Sequence, residues 1–313
     1  MSILAMLFPG QGSQYVGMGQ ALWDIDPEAR KLFAKAEAIT HLPLARLCFE
    51  GPMLELTETV NLQPAVTVVN LALYNALSRA GVAPQFVAGH SLGEYSALYA
   101  AGVLSEADTI KAVQFRGQVM HREAERHPGA MAAILRLSKE RVQELLKPLQ
   151  AAGVLALANF NTPEQIVISG EAQLIKQAME LAKQAGGRGV PLKVSGAWHS
   201  ALMSEAQPDF AAFLAGLTFK PPTVPMLFNV TGQPESDPVR IRDYMAHQLT
   251  SPVLWTDCIA NLLAAGVDTW VEVGPKNVLK GLVTKTLPPD TPYKFYNLED
   301  PASLDKFLAE FKP

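Results

Sequence analysis

The segment at residues 89–93, which reads Gly-His-Ser-Leu-Gly, carries the clearest chemical signal in this sequence. It follows a short apolar run at 86–88 and precedes residues 94–101, a pattern typical of a helix that ends at Gly102. A serine between two glycines at a strand–turn–helix junction is the pattern of a nucleophile elbow, because the tight turn strains the serine and leaves no room for other side chains. The pattern predicts that Ser91 attacks a carbonyl carbon, with backbone N–H groups at the helix start holding the oxyanion.

A serine hydroxyl is a weak nucleophile at neutral pH and needs an adjacent base. Among the six histidines, His199 is the best candidate, because its short loop between glycine and serine residues can carry a base to the edge of a sheet. A structural histidine is the competing interpretation. His90 precedes the serine and is expected to point away from it, since neighbouring side chains diverge at a turn. The remaining histidines lie in helical or charged surroundings and are interpreted as surface groups: His41, His121, His127 and His247.

The acidic residues between Ser91 and His199 weaken the interpretation as a lipase or esterase. A hydrolase triad of the elbow type runs serine, acid, histidine in chain order. Here those acids lie mostly in predicted helices, and none follows an obvious strand end. A backbone carbonyl or an amide side chain is therefore the alternative partner for the imidazole.

A glycine-rich loop at 9–14 follows the first apolar run, at 3–8. Its spacing fits neither common nucleotide-binding pattern, because Tyr15 stands where the dinucleotide fingerprint needs glycine and Met18 where a P-loop needs lysine. We expect the loop to bring backbone N–H groups and the Gln11 amide beside another site. A purely structural turn is the alternative.

The helix predicted to follow Ser105, an N-cap residue, carries Arg116 near its middle. Most helical arginines are solvated surface groups, and that is the ordinary interpretation of this residue. Phe115 and Val119 flank it, so its guanidinium is expected near an apolar wall rather than in open water.

The elements that must position these residues alternate between strands and helices, which predicts an α/β fold with a mostly parallel sheet covered on both faces. Between 128 and 193 the order is β-α-β-β-α-β, which is typical of ferredoxin-like units. We therefore predict a small ferredoxin-like domain at 128–193, inserted into a large α/β-hydrolase-like domain at 1–127 and 194–313. In the second part of the large domain we expect one helix at 201–214 and a strand at 224–229.

Composition excludes several classes of function. The 313 residues carry a net charge of −4, which provides no basic surface for nucleic acid. No apolar run approaches the roughly 20 residues that a membrane helix needs, and no signal peptide is apparent. Cys48 and Cys258 lie far apart without metal-ligand spacing, so we expect two reduced thiols, no metal site and a cytoplasmic location.

With these residues identified, the chain resembles the malonyl-CoA:acyl carrier protein transacylases over nearly its whole length. So many motifs in one order make the resemblance highly specific. The matching segments are Phe8-Pro9-Gly10-Gln11-Gly12-Ser13-Gln14, residues 89–98 around Ser91, Arg116-Gly117, Asn159-Phe160-Asn161, residues 165–170, Gly196-Ala197-Trp198-His199-Ser200, Gln248-Leu249 and Glu272-Val273-Gly274-Pro275.

The resemblance implies a ping-pong reaction. Malonyl-CoA would acylate Ser91, and the phosphopantetheine thiol of acyl carrier protein would then take the malonyl group. His199 would act as base and then as acid, with its imidazole held by the backbone carbonyl of Gln248. The N–H groups of Gln11 and Leu92 would form the oxyanion hole.

Arg116 would pair with the free malonyl carboxylate. A planar guanidinium binds a carboxylate through two parallel hydrogen bonds, which lysine cannot do. Acetyl-CoA lacks that carboxylate and would leave a buried cation unpaired, so it should be discriminated against. No metal or redox cofactor is expected, because thioester exchange is nearly isoenergetic.

Trp198 and Asn161 are the further substrate-binding residues that the resemblance suggests. Trp198 precedes the base, where malonyl-selective relatives often carry phenylalanine. Two interpretations of Trp198 stay open. It packs in the core, or it limits the room for a branched α-carbon and so disfavours methylmalonyl.

The resemblance also implies an acidic acyl carrier protein as partner of a monomeric enzyme, with Arg188, Lys193 and Lys276 as contributors to a basic docking patch. The same residues would suit an acyltransferase that serves a polyketide synthase in trans, or a malonate-decarboxylase subunit. A thioester hydrolase is disfavoured because it needs no clamp such as Arg116. A non-catalytic docking module is disfavoured by the intact serine and histidine.

Overall fold

The structure, a computed structural model, describes residues 2–311 of the chain. Met1, Lys312 and Pro313, which fall within the predicted large domain, lie outside the described residues. The described part holds nine strands: β1 (Leu4–Phe8), β2 (Phe86–Gly89), β3 (Ala130–Leu135), β4 (Leu155–Thr162), β5 (Gln165–Gly170), β6 (Arg188–Pro191), β7 (Met226–Leu227), β8 (Thr269–Val273) and β9 (Lys294–Leu298). It also holds fourteen α-helices: α1 (Gln20–Ile25), α2 (Pro27–Thr40), α3 (Leu44–Phe49), α4 (Met53–Thr57), α5 (Thr59–Arg79), α6 (Gly93–Ala100), α7 (Glu106–Arg126), α8 (Lys139–Gln150), α9 (Ala172–Gln184), α10 (Ala206–Ala215), α11 (Pro238–His247), α12 (Trp255–Ala264), α13 (Val278–Thr286) and α14 (Pro301–Glu310).

Five of the strands form one parallel sheet in the order β7-β2-β1-β8-β9. All residues of the central strand β1 are buried, as expected where helices cover both faces of a parallel sheet. Their side chains alternate between the faces, so that Met6 belongs to one apolar core and Leu7 to another. The prediction of an α/β fold with a mostly parallel sheet is confirmed.

Helices α5 and α7 pack together on one face of this sheet, and α12 and α13 cover the other. The Ser105 hydroxyl accepts the N–H of Asp108 at 3.1 Å and begins α7 as predicted, a cap that stabilises a helix by about 1 kcal/mol. Arg116 lies on the buried face of α7, three residues after Val113 and four before Met120. The position of Arg116 along α7 therefore turns this cation towards the interior of the protein.

The second sheet has four antiparallel strands in the order β4-β5-β3-β6. On one face, Ile134 and Ile168 share an apolar core with helices α8 and α9. On the other face, Met131 and Val167 join the core of the large sheet. Because side chains alternate along a strand, the same strands build a small core on one side and face the rest of the molecule with the other.

Strand β4 also ties the two sheets together through backbone hydrogen bonds. The N–H of Val253 donates to the Ala158 oxygen at 2.8 Å, and the N–H of Phe160 donates to the Val253 oxygen at 2.9 Å. Val253 leads directly into α12 on the large sheet. These bonds fix the small sheet beside the carboxyl end of the large one.

The helix predicted at 201–214 is divided in the structure. A short 3-10 turn, Ala201–Met203, is followed by α10 from Ala206. Pro208 accounts for the division, because its missing N–H is tolerated only in the first turn of a helix. The α-helix therefore begins just before this proline.

The strand predicted at 224–229 shortens to the two residues of β7. Pro225 has no N–H to give to a sheet, and only its carbonyl pairs, accepting from Val87 at 3.0 Å. At the other end, the N–H of Phe228 bonds to Gln233 across a turn. Apolar residues continue beyond the strand, but the sheet pairing does not.

Candidate active site

Ser91 lies at the sharp turn between β2 and α6, with a backbone φ of +49°. Glycine is required on both sides of it. A Cβ on Gly89 would lie 2.0 Å from the carbonyl carbon of Gly93, and one on Gly93 would lie 2.0 Å from the Phe8 oxygen. The turn therefore holds the serine in a strained conformation at the carboxyl end of the parallel sheet.

His199 is 4% exposed and faces the serine hydroxyl. Its Nε2 lies 2.8 Å from Ser91 Oγ, while its Nδ1 lies 3.0 Å from the backbone oxygens of both Gln248 and Ser251. Carbonyl oxygens only accept hydrogen bonds, so Nδ1 carries the proton and Nε2 presents its lone pair to the serine. This is the arrangement that a general base needs, and carbonyls replace the acid of a triad.

Burial and the nearby Arg116 cation lower the pKa of His199 to about 3. A lowered pKa favours the neutral imidazole, so the base remains ready to accept a proton at neutral pH. The backbone conformation of His199 is also unusual, with φ at +59°. Both members of the serine–histidine pair thus occupy the left-handed region, which non-glycine residues seldom adopt.

We expect the imidazole of His199 to stay neutral between about pH 8 and pH 5, because its pKa of about 3 lies below that range. The measurement is a pH titration of the histidine ring resonances by NMR, with His199→Ala assigning the signal. A His199 signal that titrates near pH 6.5 would contradict the prediction.

Gln11 and Leu92 place two backbone N–H groups beside the serine. Gln11 and Ser91 line the same cavity, and Leu92 stands at the start of α6. Neither N–H has an acceptor within residues 2–311. The N–H of Ser91 itself is already engaged by Asn229 Oδ1 at 2.7 Å, whereas the N–H groups of Gln11 and Leu92 are available to a bound group.

Arg116 is 2% exposed, and every nitrogen of its guanidinium has a neutral partner. Its Nε donates to Gln248 Oε1 at 3.0 Å and one terminal nitrogen donates to Gln63 Oε1 at 2.9 Å. The other terminal nitrogen lies 3.3 Å from Ser91 Oγ, and the Tyr95 ring lies below the cation. Burial lowers the pKa of Arg116, but an arginine remains charged. The cation is thus aimed at the nucleophile with no carboxylate in direct contact.

A cavity of about 250 Å³ opens above the serine, between the large sheet and the small one. Its lining combines Ser91 and Val278 from the large part with Asn161 from β4 and Trp198 from the loop that returns to the large part. The remaining lining residues are Gly10, Gln11, His90, Met131, Asn159, Gln165, Val167, Leu192, Val194, His199, Leu279 and Leu282.

His90 was expected to point away from the serine, and the structure corrects this in part. Its Nε2 bonds to Asn161 Oδ1 at 2.7 Å and its ring packs edge-on against Trp255. It nevertheless lines the same cavity as Ser91, because the elbow runs directly beneath β4. The side chain therefore links the elbow to the small sheet instead of leaving the site.

Four residues of this arrangement escaped the sequence analysis. Gln63 accepts a hydrogen bond from the Arg116 guanidinium, and the Ser251 carbonyl accepts one from the His199 imidazole. Asn229 accepts the Ser91 N–H, and Glu94 in turn accepts the Asn229 N–H. Gln63 carried a signal as a polar residue within an apolar helical stretch, and Glu94 lies in the family-matching segment at 89–98 without a role of its own. The others follow no local pattern, because their partners are far away in the chain.

The basic residues proposed for docking are all exposed. Lys193 stands between cavity-lining Leu192 and Val194, and Lys276 contacts the Gly12 carbonyl of the loop beside the site. Arg188 pairs with Leu135 at the opposite end of β6, roughly 10 Å further along at the usual rise of a strand. Two of the three cations therefore lie next to cavity-lining residues or to the loop that carries Gln11.

Within residues 2–311, the side chains of Glu123, His127 and Glu205 form the single cluster that could offer three metal ligands. Glu123 and His127 lie at the end of α7, about two or three helical turns beyond Arg116, and Glu205 precedes α10. Ion pairs with Arg122 and Arg126 occupy the two carboxylates. No helix of the described chain is sufficiently long and apolar to cross a membrane.

The chain is similar to known proteins over almost its whole length. The family model described as the acyl transferase domain matches residues 5–298. The malonyl CoA-acyl carrier protein transacylase of Bacillus subtilis (strain 168) is 40% identical over 314 residues, which cover 100% of this chain and 98% of that protein.

Solved structures show the same fold. An acyl carrier protein S-malonyltransferase from Vibrio cholerae O1 biovar eltor str. N16961 has a TM-score of 0.92 at 39% identity, covering 97% of this chain and 99% of that one. A malonyl-transacylase solved in complex with its type II PKS acyl-carrier protein has a TM-score of 0.94 at 36% identity, covering 99% of this chain and 100% of that one. The likeness includes both sheets.

Proposed function

This chain belongs to the acyl transferase domain family, and we propose that it transfers malonyl from malonyl-CoA to the phosphopantetheine thiol of an acyl carrier protein. One observation carries the proposal: a neutral base and a buried cation meet at one hydroxyl. Ser91 Oγ lies 2.8 Å from His199 Nε2 and 3.3 Å from a terminal nitrogen of Arg116. The base suits acyl transfer through serine, and the cation suits an acyl group that ends in a carboxylate.

In the first half-reaction, Ser91 Oγ attacks the thioester carbonyl carbon of malonyl-CoA while its proton passes to His199 Nε2. The N–H groups of Gln11 and Leu92 hold the oxyanion of the tetrahedral intermediate. Collapse of the intermediate breaks the carbon–sulfur bond, and the imidazolium returns its proton to the departing CoA sulfur. The product is a malonyl ester on Ser91 and free CoA.

The second half-reaction runs the same steps in reverse with a different thiol. His199 takes the proton of the phosphopantetheine thiol, whose sulfur attacks the ester carbonyl. The bond between the carbonyl carbon and Ser91 Oγ then breaks, and the His199 imidazolium returns its proton to Ser91 Oγ. A thioester is broken and a thioester is formed, so we propose that no metal or redox cofactor takes part.

Arg116 would bind the malonyl carboxylate. Gln248 and Gln63 already take two of its N–H groups, which leaves the edge nearest Ser91 for the substrate. A carboxylate on that edge supplies the countercharge that the buried guanidinium lacks. An acetyl group supplies none, and the desolvated cation then stays unpaired.

We also assign the architecture in finer terms than the strand pairing alone. The order β4-β5-β3-β6, with two helices on one face, supports a ferredoxin-like unit at 128–193. The serine elbow at the end of a parallel strand supports an α/β-hydrolase-like description of 1–127 and 194–313. In this division the small unit supplies one wall of the substrate cavity.

Asn161 and Trp198 would form parts of the acyl and pantetheine path. If the His90 Nε2–H donates to Asn161 Oδ1, the Asn161 amide N–H groups are left for the substrate. Trp198 is 4% exposed, and its ring packs so closely that a Cβ on Gly196 would lie 2.6 Å from it. The indole is therefore a rigid wall beside the base.

Replacing Trp198 with alanine is expected to raise turnover of methylmalonyl-CoA relative to malonyl-CoA roughly tenfold, because one methyl group in a tight pocket is worth about 1–3 kcal/mol. The measurement is the acylation rate with each thioester, and Trp198→Phe is the conservative control. Wild-type protein that accepts both thioesters equally would contradict the prediction.

The carrier protein is the partner that the structural relative in complex suggests for this chain. Lys193 and Lys276, exposed beside the cavity, would attract an acidic carrier, whereas Arg188 contributes from further away. Since Ser91 and both of its partners come from one chain, we propose that a monomer is active. We propose no nucleic-acid partner, because the net charge of −4 would repel the phosphate backbone.

The pathway has two candidates, fatty-acid and polyketide synthesis, since one relative is named only for an acyl carrier protein and another was solved with a type II PKS acyl-carrier protein. The test of the function is incubation with malonyl-CoA alone, followed by intact mass and peptide mapping. We expect one malonyl group on Ser91, which leaves when a phosphopantetheinylated carrier is added. An unchanged mass would overturn the proposal, and a panel of carriers separates the pathways.

A further inference from the structure

Glu94 is a buried carboxylate that the mechanism above does not use. It is the second residue of α6, directly behind the elbow, and is 1% exposed. No lysine, arginine or histidine of residues 2–311 forms an ion pair with it. Burial raises the pKa of Glu94 to about 7. Because no direct countercharge stabilises this buried carboxylate, its presence calls for a role other than an ion pair.

The contacts of Glu94 lead in two steps to Arg116, the cation proposed to bind the malonyl carboxylate. Its Oε1 accepts the backbone N–H of Asn229 at 2.8 Å, and its Oε2 accepts Nε2 of Gln248. The same Gln248 Nε2 donates to the Ser91 carbonyl at 2.9 Å, and Gln248 Oε1 accepts Nε of Arg116 at 3.0 Å. One amide thus lies between the carboxylate, the elbow and the guanidinium.

The amide of Gln248 has two chemically different ends, and its orientation decides what Arg116 meets. With the oxygen outward, Arg116 Nε has an acceptor. With the amide turned over, the NH₂ group would face an N–H donor and push the guanidinium away. The ionised Glu94 carboxylate and the Ser91 carbonyl both present only acceptors to the NH₂ end, so together they select the first orientation.

We propose that Glu94 is a positioning residue that sets the preference for a charged acyl group by fixing the Gln248 amide and, through it, the guanidinium of Arg116. This inference rests on the proposed function of the site. Glu94 touches neither the substrate nor the reacting atoms. Its effect is confined to acyl groups that use Arg116.

The substitution Glu94→Gln keeps the shape of the side chain and removes one acceptor. The Asn229 N–H is part of the backbone and cannot turn, so the new amide must give its oxygen to Asn229 and its NH₂ to Gln248. Gln248 can then bond to residue 94 only by turning its own oxygen towards it, which turns its NH₂ towards Arg116 and gives up its bond to the Ser91 carbonyl. The variant therefore mispositions the cation without changing the volume of the core.

The test compares kcat/KM for acylation of Ser91 by malonyl-CoA and by acetyl-CoA, measured by quenched mass spectrometry. We expect Glu94→Gln to lower the malonyl-to-acetyl ratio about tenfold, mainly through the malonyl value. The matched control is Glu272→Gln, a carboxylate that is equally buried and also accepts two N–H groups, from Leu279 and Lys280. The control is expected to keep the wild-type ratio.

Two further variants separate positioning from a structural role. In an Arg116→Ala background, Glu94→Gln is expected to change the ratio no further, whereas a general structural defect would lower both activities in either background. Gln248→Met keeps the carbonyl that faces His199 and removes only the amide, so it should show the same tenfold fall even if Glu94→Gln does not fold.

An unchanged malonyl-to-acetyl ratio in Glu94→Gln, or in Gln248→Met, would overturn the inference. So would an effect of Glu94→Gln that persists in full without Arg116. If wild-type protein takes no malonyl group, the proposed function itself fails. Malonylated wild type with an unchanged ratio in the variants removes only the role of Glu94.

Discussion

Replacement of Ser91 with alanine is expected to abolish the malonyl adduct and to lower transfer to acyl carrier protein by roughly a millionfold, as loss of a serine nucleophile does elsewhere. The hydroxyl is the one atom that His199 Nε2 and Arg116 both approach, at 2.8 and 3.3 Å. Without it no covalent intermediate forms, because the other groups only orient or stabilise. Intact mass after incubation with malonyl-CoA and a carrier-transfer assay measure the two effects.

Ser96→Ala is the matched control for this experiment. Ser96 lies on α6, the short helix that follows the elbow. It is buried and accepts a hydrogen bond from Asn70, but it does not line the cavity. Its loss removes a hydroxyl of equal size five residues away, and the adduct should still form. A malonyl adduct that persists in Ser91→Ala would show that another residue is acylated and would end the assignment.

Replacement of Arg116 with alanine is expected to lower malonyl transfer by roughly a hundredfold to several thousandfold, since breaking a buried ion pair costs about 3–5 kcal/mol. In the same variant acetyl transfer should rise, because acetyl-CoA no longer has to enter beside an unpaired buried cation. Competition between the two thioesters for Ser91, followed by mass, measures both changes at once.

Arg116→Lys provides the contrast in chemistry. Lysine keeps the positive charge but not the planar fork that reaches Gln248, Gln63 and the serine together. We expect intermediate malonyl transfer and continued discrimination against acetyl. If Arg116→Ala retains full malonyl transfer, the cation does not hold the carboxylate and the clamp is wrong.

The part of the fold that sequence periodicity and glycines mark was predictable. The strand, turn and helix around Ser91 were recognisable because only glycine fits at 89 and 93, where an added Cβ would lie 2.0 Å from a backbone atom. Alternating elements likewise predicted the parallel sheet. Apolar runs were a poorer guide where prolines intervene, since Pro208 divides one predicted helix and Pro225 delays the start of β7.

The site was predictable only where a residue carries its own chemistry. A serine between glycines, a loop histidine and a flanked arginine can be singled out from the sequence, and the family resemblance added their roles. Asn229 and Glu94 could not be found, because their importance comes from partners 138 and 154 residues away. Hydrogen bonds over such separations depend on how sheets and helices meet, which local pattern does not encode.

The orientation of His199 depends on main-chain oxygens rather than on an acidic side chain. Every amino acid at 248 or 251 supplies the same carbonyl, so no single codon change removes the acceptor that holds the Nδ1 proton. In a triad, replacing the acid lowers turnover roughly ten-thousandfold, and selection must guard that position as well. In this enzyme, mutation can therefore disable the serine–histidine pair at two side chains instead of three. The orientation of the base is insensitive to substitution at 248 and 251, because backbone oxygens hold it.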